Sequence, residues 1–237
     1  MDTLTRTARR TGAAYLALAV FGMAGFLVIR PQLYIAGDPA ATLAALEAHT
    51  ALAHLWVVLE VGVVAAQALA ALGFYALFRD DRPAAAFGVA TFGMANAAAI
   101  LGSAAMMITA VGVAEDSAAD AGAPASVGLL LQISLAFWTA GGLFFGLWLI
   151  PMGAYVLSTS RMPRLLGWLL IVGGAGYVAG TVVGIGWAGA PAWLVDGLPL
   201  PATVAEFWMI GYLLVRGIRP MPAASATDPG TRATVAP

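Results

Sequence analysis

The chain has 237 residues and a formal net charge of −1; 61% of its residues are hydrophobic and only 10% are charged. Soluble globular domains carry about 25% charged residues, so this chain has too few charges to cover a surface that faces water. It also contains no cysteine and no lysine, which excludes disulfides, thiolate metal sites, cysteine nucleophiles and lysine Schiff bases.

The apolar residues come in six blocks, most of them longer than the ~18 residues that indicate a membrane-spanning helix. We number these predicted spans 1 to 6 along the chain: residues 11–29, 51–78, 84–113, 127–157, 165–188 and 201–215. Span 1 follows arginines, as a signal peptide would, but Arg30-Pro31 stands where a cleavage site of small residues is expected. We therefore interpret it as an uncleaved helix.

The sequence thus predicts an all-α fold, an integral membrane bundle of six transmembrane helices over residues 1–217. Residues 218–237 are small, polar and rich in proline, which predicts a disordered cytoplasmic tail.

The arginines indicate the orientation of the bundle. In a six-span chain, ten of the eleven arginines fall on one side of the membrane, and Arg30 alone falls on the other. The ten are Arg6, Arg9, Arg10, Arg79, Arg82, Arg161, Arg164, Arg216, Arg219 and Arg232. Acidic residues such as Asp38, Asp120 and Asp196 occupy the opposite loops. Because loops rich in arginine stay in the cytoplasm, both termini are predicted to be cytoplasmic.

The short turn between spans 2 and 3, with the sequence RDDRP, predicts that these two helices are antiparallel neighbours. Pairing residues across that turn places Glu60 level with Ser103, and Gln67 level with Asn96. On each helix the two polar residues are seven apart, which puts them on one face. We expect this face to be turned toward the interior of the bundle.

Glu206 is an acid inside the sixth apolar block. It precedes Arg216, at the membrane boundary, by ten residues, or about 15 Å of helix, which places it near the depth of Gln67 and Asn96. An ionised, lipid-exposed carboxylate at that depth costs about 2.5–3.5 kcal/mol on insertion scales. We therefore expect Glu206 to face the interior and to find a hydrogen-bond partner.

Two interpretations of this candidate intramembrane polar site, Glu206, Glu60, Gln67, Asn96 and Ser103, remain open. In the first, Glu206 serves a proton- or cation-coupled pathway or a ligand pocket, helped by Gln67 and Asn96, since an intramembrane acid is a functional candidate by default. In the second, these polar side chains only form hydrogen bonds between packed helices.

No arrangement of residues typical of an enzyme is present, and we expect no catalytic residue, metal or cofactor. Both histidines, His49 and His54, lie at the start of span 2, so two spans of one chain cannot ligate a haem between them. Glu47 and His54 could belong to a surface metal site, but their spacing matches no standard ligand motif. No metalloprotease, serine-hydrolase or phosphate-loop motif occurs. The arginines flank the spans in pairs and form no patch, so no nucleic-acid partner is expected.

Span 5 carries glycines at four-residue spacing, Gly176, Gly180 and Gly184. Small residues at this spacing allow close approach between membrane helices. We expect them to support tight packing within the bundle rather than a dedicated dimer interface.

Nearly the whole chain is similar to a known family, and the similarity is most specific in the last third. That third contains FFGLWLIPMGAYVLSTSRMPRLLGWLLIVGGAGYVAG at residues 144–180 and AEFWMIGYLLVRGIRP at residues 205–220. A span ends there in a turn with tyrosine, serine and arginine, the next helix begins with Pro-Arg-Leu-Leu-Gly, and the final span carries an acid before a basic end. With Val58-Leu59-Glu60 and Gly37-Asp38, the pattern resembles the bacterial membrane family known as domain of unknown function 4386. The resemblance implies a multi-pass bundle with Glu60 and Glu206 as family-type acids, and it implies no activity.

These observations predict a multi-pass protein of the bacterial plasma membrane, embedded in the lipid bilayer. The leading functional hypothesis is transport or the binding of a small molecule or ion at Glu206. The alternative is a non-catalytic scaffold or partner subunit whose polar layer only packs helices.

Overall fold

A computed structural model describes residues 3–117 and 120–219, and within these residues every regular element is helical. The helices in chain order are α1 Thr3–Met23, a π-helical segment Ala24–Ile29, α2 Arg30–Leu33, α3 Pro39–Ala48, α4 Thr50–Phe78, α5 Pro83–Glu115, α6 Ala123–Thr159, α7 Arg164–Gly186, α8 Ala192–Gly197 and α9 Leu200–Val215.

Six stretches of the described residues are long and apolar enough to cross a membrane. They are Thr3–Leu33, Thr50–Phe78, Pro83–Glu115, Ala123–Thr159, Arg164–Gly186 and Ala192–Val215. All six predicted spans are therefore confirmed as helices. Most of the helices are longer than the apolar blocks, because polar residues and arginines can continue a helix beyond the hydrocarbon into the headgroup region.

The predicted disordered tail falls mostly outside the described residues. Its first two residues are described: Ile218 is buried, and Arg219 donates its backbone N–H to the carbonyl oxygen of Arg161 at 3.4 Å. Ordered packing thus continues past the end of α9.

A short helix that the sequence did not indicate, α3, lies in the loop between spans 1 and 2. Asp38 caps its start by accepting a hydrogen bond from the backbone N–H of Ala41 at 2.9 Å, and Pro39 occupies the first turn, an arrangement that favours helix initiation. Leu43 and Leu46 are buried against the bundle. With ten residues, α3 is too short to cross a membrane and gives no span signal.

The six long helices form a closed ring in chain order. Each packs against its neighbours along the chain, from α1 to α4, α5, α6, α7 and α9, and α9 packs back against α1. The centre of the ring is filled by aromatic side chains. Tyr15, Phe74 and Trp148 contact one another edge to face, with ring centroids 5.2–6.0 Å apart, a favourable geometry for aromatic packing.

We call the two ends of the bundle the arginine side and the acid side. The arginine side contains the turns at 79–82 and 160–163 and residues 216–219; the acid side contains the segments 34–49, 116–117, 120–122 and 187–199. Which of them faces the cytoplasm stays a prediction.

A buried ion pair holds the arginine side together. Arg161 is only 6% exposed and contacts the carboxylate of Asp81, which also accepts a hydrogen bond from the Tyr155 hydroxyl at 2.7 Å. The Arg161 Nε donates to the carbonyl oxygen of Arg219 at 2.6 Å. Ser160, at the end of α6, has a left-handed backbone conformation with φ 56°. The sequence indicated Arg161 only as a topology signal, whereas it connects the ends of three spans.

Candidate functional site

Glu60 lies at the centre of a buried polar cluster formed by spans 2, 3 and 4. The Ser103 hydroxyl donates to Glu60 Oε1 at 2.6 Å, and the Trp138 indole N–H donates to the same oxygen at 2.5 Å. Ser134 lies 2.8 Å from Ser103, oxygen to oxygen. The contact between Glu60 and Ser103 confirms the register that the short turn predicted. Trp138 and Ser134 were missed, because no short turn relates span 4 to span 2.

Gln67 and Asn96 are completely buried one level closer to the arginine side. The Gln67 amide packs beside Gly93, and the Asn96 amide oxygen packs beside Gly141. Among the described residues neither amide has a hydrogen-bond partner, and no hydrogen bond joins the two. Gln67 and Asn96, which were predicted to lie at the same level, therefore do not form a hydrogen bond with each other.

Glu206 is half-buried in α9 and accepts a hydrogen bond from the Tyr15 hydroxyl of α1 at 2.7 Å. Its cavity is also lined by Val63, one helical turn from Gln67. The similar depth predicted for Glu206 and Gln67 stays a prediction. They face different neighbours, however, because Gln67 packs beside Gly93 of α5 while Glu206 meets Tyr15.

The cavity at Glu206 has a volume of about 300 Å³ and lies mainly between spans 1 and 6. We call it the Glu206 cavity. Its walls are mostly apolar and aromatic: Tyr15, Leu18, Ala19, Gly22, Met23, Leu27, Val63, Trp138, Phe145, Tyr177, Thr203, Phe207 and Ile210. Neither Gln67 nor Asn96 is among these lining residues. The prediction that these two amides assist Glu206 is therefore not supported by a shared position in the cavity wall.

Spans 1 and 6 are in close contact near the arginine side. Toward the acid side they separate, and the Glu206 cavity lies between them. Gly12 allows the close approach, since a Cβ at this position would lie 3.0 Å from Leu213 Cβ. Toward the acid side, Met23, Leu27 and Phe207 line the cavity and are exposed on the outer surface of the ring. The mouth of the cavity therefore opens laterally, where lipid chains surround a membrane bundle.

The acid-side half of span 1 departs from α-helical geometry over the π-helical segment Ala24–Ile29. π-helical turns are rare and occur often at functional sites. Within this segment Phe26 packs against Trp138 with ring centroids 6.1 Å apart, and the guanidinium of Arg30 lies 4.5 Å from the Phe26 ring centroid. The segment thus connects the one arginine of the acid side to the wall of the site.

A second cavity of about 660 Å³ lies next to the Glu206 cavity and extends to the exposed Asp196 on the acid side. We call it the outer cavity. Trp138, Phe145 and Tyr177 line both cavities. Their rings are stacked, with centroids 6.2 Å apart for Trp138 and Phe145 and 5.9 Å apart for Phe145 and Tyr177. This aromatic row forms a shared wall between the cavities.

The histidine region on the acid side has surface contacts only. His54 Nε2 lies 2.7 Å from Glu115 Oε1, with both side chains about half exposed, and Glu47 accepts a hydrogen bond from Ser117. Glu47 and His54, considered above as a possible metal-binding pair, thus contact two different partners, Ser117 and Glu115. In the part of the chain that the structure describes, no group of three acidic or histidine side chains could hold a metal ion.

A closed ring of six apolar helices, with an acid facing a lateral cavity, defines a helical multi-pass membrane protein. Residues 10–217 match the family described as domain of unknown function (DUF4386), and the chain belongs to that family. This finding confirms the resemblance, which covers nearly the whole chain and is most specific in its last third. Comparison with curated proteins and with solved structures finds no significant match.

Proposed function

We propose that this protein binds a small ligand inside the membrane, at the Glu206 cavity, and transports it between that cavity and the acid side. One observation carries the proposal. Glu206, held by Tyr15, faces a cavity of about 300 Å³ that shares an aromatic wall with the outer cavity. A carboxylate placed inside a membrane bundle and turned toward a cavity is typical of a substrate or ion pathway.

The cavity has the properties of a ligand site. Small-molecule sites are concave, mostly apolar, and about 300–1,000 Å³ in volume, with a few polar groups that fix the orientation of the ligand. Here the polar residues of the lining are Glu206, Tyr15, Tyr177 and Thr203. Every other lining side chain in this cavity is apolar or aromatic.

We also infer that the protein resides in a bacterial plasma membrane with both termini in the cytoplasm. The distribution of arginines supports this orientation. In this orientation the outer cavity opens to the outside of the cell, and Glu206 lies about halfway across the bilayer.

Binding is tested with 1-N-phenylnaphthylamine, a neutral fluorescent probe, on the purified protein in nanodiscs. A Cβ at Gly22, which lines the Glu206 cavity, would meet no atom within 4 Å. We therefore expect the leucine side chain of Gly22→Leu to enter the cavity. Gly211→Leu is the matched control, because a Cβ at Gly211 also meets no atom within 4 Å but this residue does not line the cavity. We expect saturable binding by the wild type and by Gly211→Leu, and its loss in Gly22→Leu.

Transport is tested by proton flux into proteoliposomes that contain a pH-sensitive dye, driven by an imposed membrane potential. Glu206→Gln keeps the size and hydrogen bonding of the side chain but cannot release a proton. We expect reduced flux in Glu206→Gln and unchanged flux in Glu115→Gln, an acid at the surface. Equal flux in all three proteins would remove the support for a pathway through Glu206.

The alternative, a membrane scaffold, is favoured by a different observation. Glu60, Ser103, Ser134 and Trp138 bond to one another across three helices, as a layer that only packs helices would. Absence of saturable probe binding in the wild type, together with unchanged proton flux in Glu206→Gln, would favour the scaffold and reject ligand binding.

A further inference from the structure

The charge of the Glu206 cavity points to the class of ligand. Glu206 is the only ionisable side chain among its lining residues apart from the tyrosines. None of the ion pairs found among the described residues includes Glu206, whose one hydrogen-bond partner there is Tyr15. A carboxylate that lines an apolar cavity without a positively charged partner can be compensated by a positively charged ligand.

Arg30, the one arginine of the acid side, makes other contacts. Arg30 lies over the rings of Phe26 and Tyr34, at 4.5 and 5.3 Å from their centroids. It lines a small neighbouring cavity that contains Glu60, not the Glu206 cavity. The sequence contains no lysine, and no arginine of the described residues lines the Glu206 cavity. The chain therefore supplies no positive charge to the Glu206 cavity from its own lining residues.

The aromatic walls favour the same class of ligand. Tyr15, Trp138, Phe145, Tyr177 and Phe207 all line the cavity. Organic cations are attracted to aromatic rings within about 6 Å of the ring centroid, and most strongly where water is excluded. Arg30 over Phe26 shows the same interaction one helical turn from the cavity. An anion would be repelled by Glu206, and a neutral apolar molecule would leave the carboxylate uncompensated.

The position of the mouth determines how such a ligand arrives. Leu27 and Phe207, at the mouth, are 65% and 46% exposed on the side of the ring that faces lipid. A ligand that enters here must first dissolve in the bilayer. A small inorganic cation does not partition into hydrocarbon, whereas an aromatic organic cation can do so through its apolar part.

We propose that the Glu206 cavity binds a lipophilic aromatic cation, of the quaternary ammonium type, that enters from the lipid between spans 1 and 6. The proposal rests on the proposed ligand-binding function and adds the chemical class of the ligand. The positive group lies at Glu206 and Tyr15, and the apolar part lies against Trp138, Phe145 and Tyr177.

The experiment compares two probes that have the same shape and differ in charge. Benzyltrimethylammonium is the cation, and neopentylbenzene, in which carbon replaces nitrogen, is its neutral isostere. Binding of both to the full-length protein in nanodiscs is measured by equilibrium dialysis, with empty nanodiscs subtracted. We expect the wild type to bind the cation about tenfold more tightly than the isostere, an effect of the size that cation–π contact and ion pairing produce.

Two pairs of variants locate the preference. Glu206→Gln should bind the isostere as the wild type does and lose the preference for the cation, and its binding of the isostere shows that it is folded. Glu115→Gln, at the surface, should keep the preference. Gly22→Leu should bind neither probe, and Gly211→Leu should bind both.

The outcomes separate this inference from the proposed function. If the wild type binds the isostere as tightly as the cation, or if Glu206→Gln keeps the preference, the cation inference is overturned while ligand binding at the cavity stands. If the wild type binds neither probe, or if Gly22→Leu binds both as the wild type does, ligand binding at this cavity is itself rejected, and the inference with it.

Discussion

Two membrane acids of this chain, Glu60 and Glu206, occupy different environments. The Glu60 carboxylate accepts hydrogen bonds from Ser103 and Trp138 and is buried, 6% exposed. Glu206 accepts one hydrogen bond, from Tyr15, and faces a cavity. Glu60 is therefore used to hold helices together, whereas Glu206 has carboxylate surface left for a ligand.

Tyr15→Phe tests the contact that holds Glu206. It keeps the ring that packs on Phe74 and Trp148 and removes only the hydroxyl. We expect a loss of about 1–3 kcal/mol in the free energy of unfolding, because a partly buried carboxyl group loses its partner. Thermal unfolding in detergent measures the effect.

Tyr177→Phe is the control for Tyr15→Phe, since Tyr177 lines the same cavity but forms no described hydrogen bond with Glu206. It should change stability much less. In a double-mutant cycle with Glu206→Leu, which cannot accept a hydrogen bond, Tyr15→Phe should have little further effect in the Glu206→Leu background if the two residues form one interaction. Fully additive effects would contradict a direct bond.

Arg161→Ala tests the buried ion pair of the arginine side. The substitution leaves Asp81 buried without its charged partner, and breaking a buried pair in this way typically costs about 3–5 kcal/mol. Arg164→Ala, three residues along and exposed, is the matched control and should cost little. A similar melting temperature for both variants would show that Arg161 acts only as a topology signal.

At the scale of elements, glycines decide how closely spans 4 and 5 pack. A Cβ at Gly153 would lie 2.6 Å from the carbonyl oxygen of Gly167, and one at Gly146 would lie 2.5 Å from that of Gly174. Both contacts are with backbone, which cannot move as a side chain can. The glycines of α6 and α7 thus allow the backbones to touch. The glycines singled out in the sequence serve another neighbour, since Gly176 packs beside the carbonyl oxygen of Leu198.

Gly153→Ala tests this close approach. The added methyl group must push α6 and α7 apart, and such overpacking typically costs about 1–3 kcal/mol. Gly211→Ala is the control, since a Cβ there meets no atom within 4 Å; it should stabilise by about 0.5–1 kcal/mol, because alanine favours a helix over glycine. Thermal unfolding of both variants gives the comparison, and equal stabilisation by both would contradict the close approach.

At the scale of the whole molecule, the orientation of the bundle can be tested directly because the chain contains no cysteine. Single cysteines at Asp38, Asp120 and Asp196, all exposed on the acid side, should react with a membrane-impermeant maleimide added to intact cells. A cysteine at Asp80, exposed on the arginine side, should react only after the cells are opened. The reverse pattern would overturn the predicted orientation.

Much of the architecture could be predicted from the sequence, and particular residues show where prediction ends. Glu60 and Ser103 were paired correctly because a short turn between antiparallel helices fixes their register. The register of span 4 follows from no such turn, so the contact of Trp138 with Glu60 was missed. The arginines were used only to predict the orientation of the bundle. Nothing in the sequence near Arg161 indicated that its side chain is buried.

The sequence by itself determined the class of protein and its six spans, because the length and polarity of apolar blocks must match the thickness of a bilayer. Only the tertiary structure decided that Tyr15 meets Glu206 across 191 residues, and that a cavity opens between spans 1 and 6. That contact forms when the last helix closes the ring against the first, and the periodicity within a helix carries no information about which distant helix will become its neighbour.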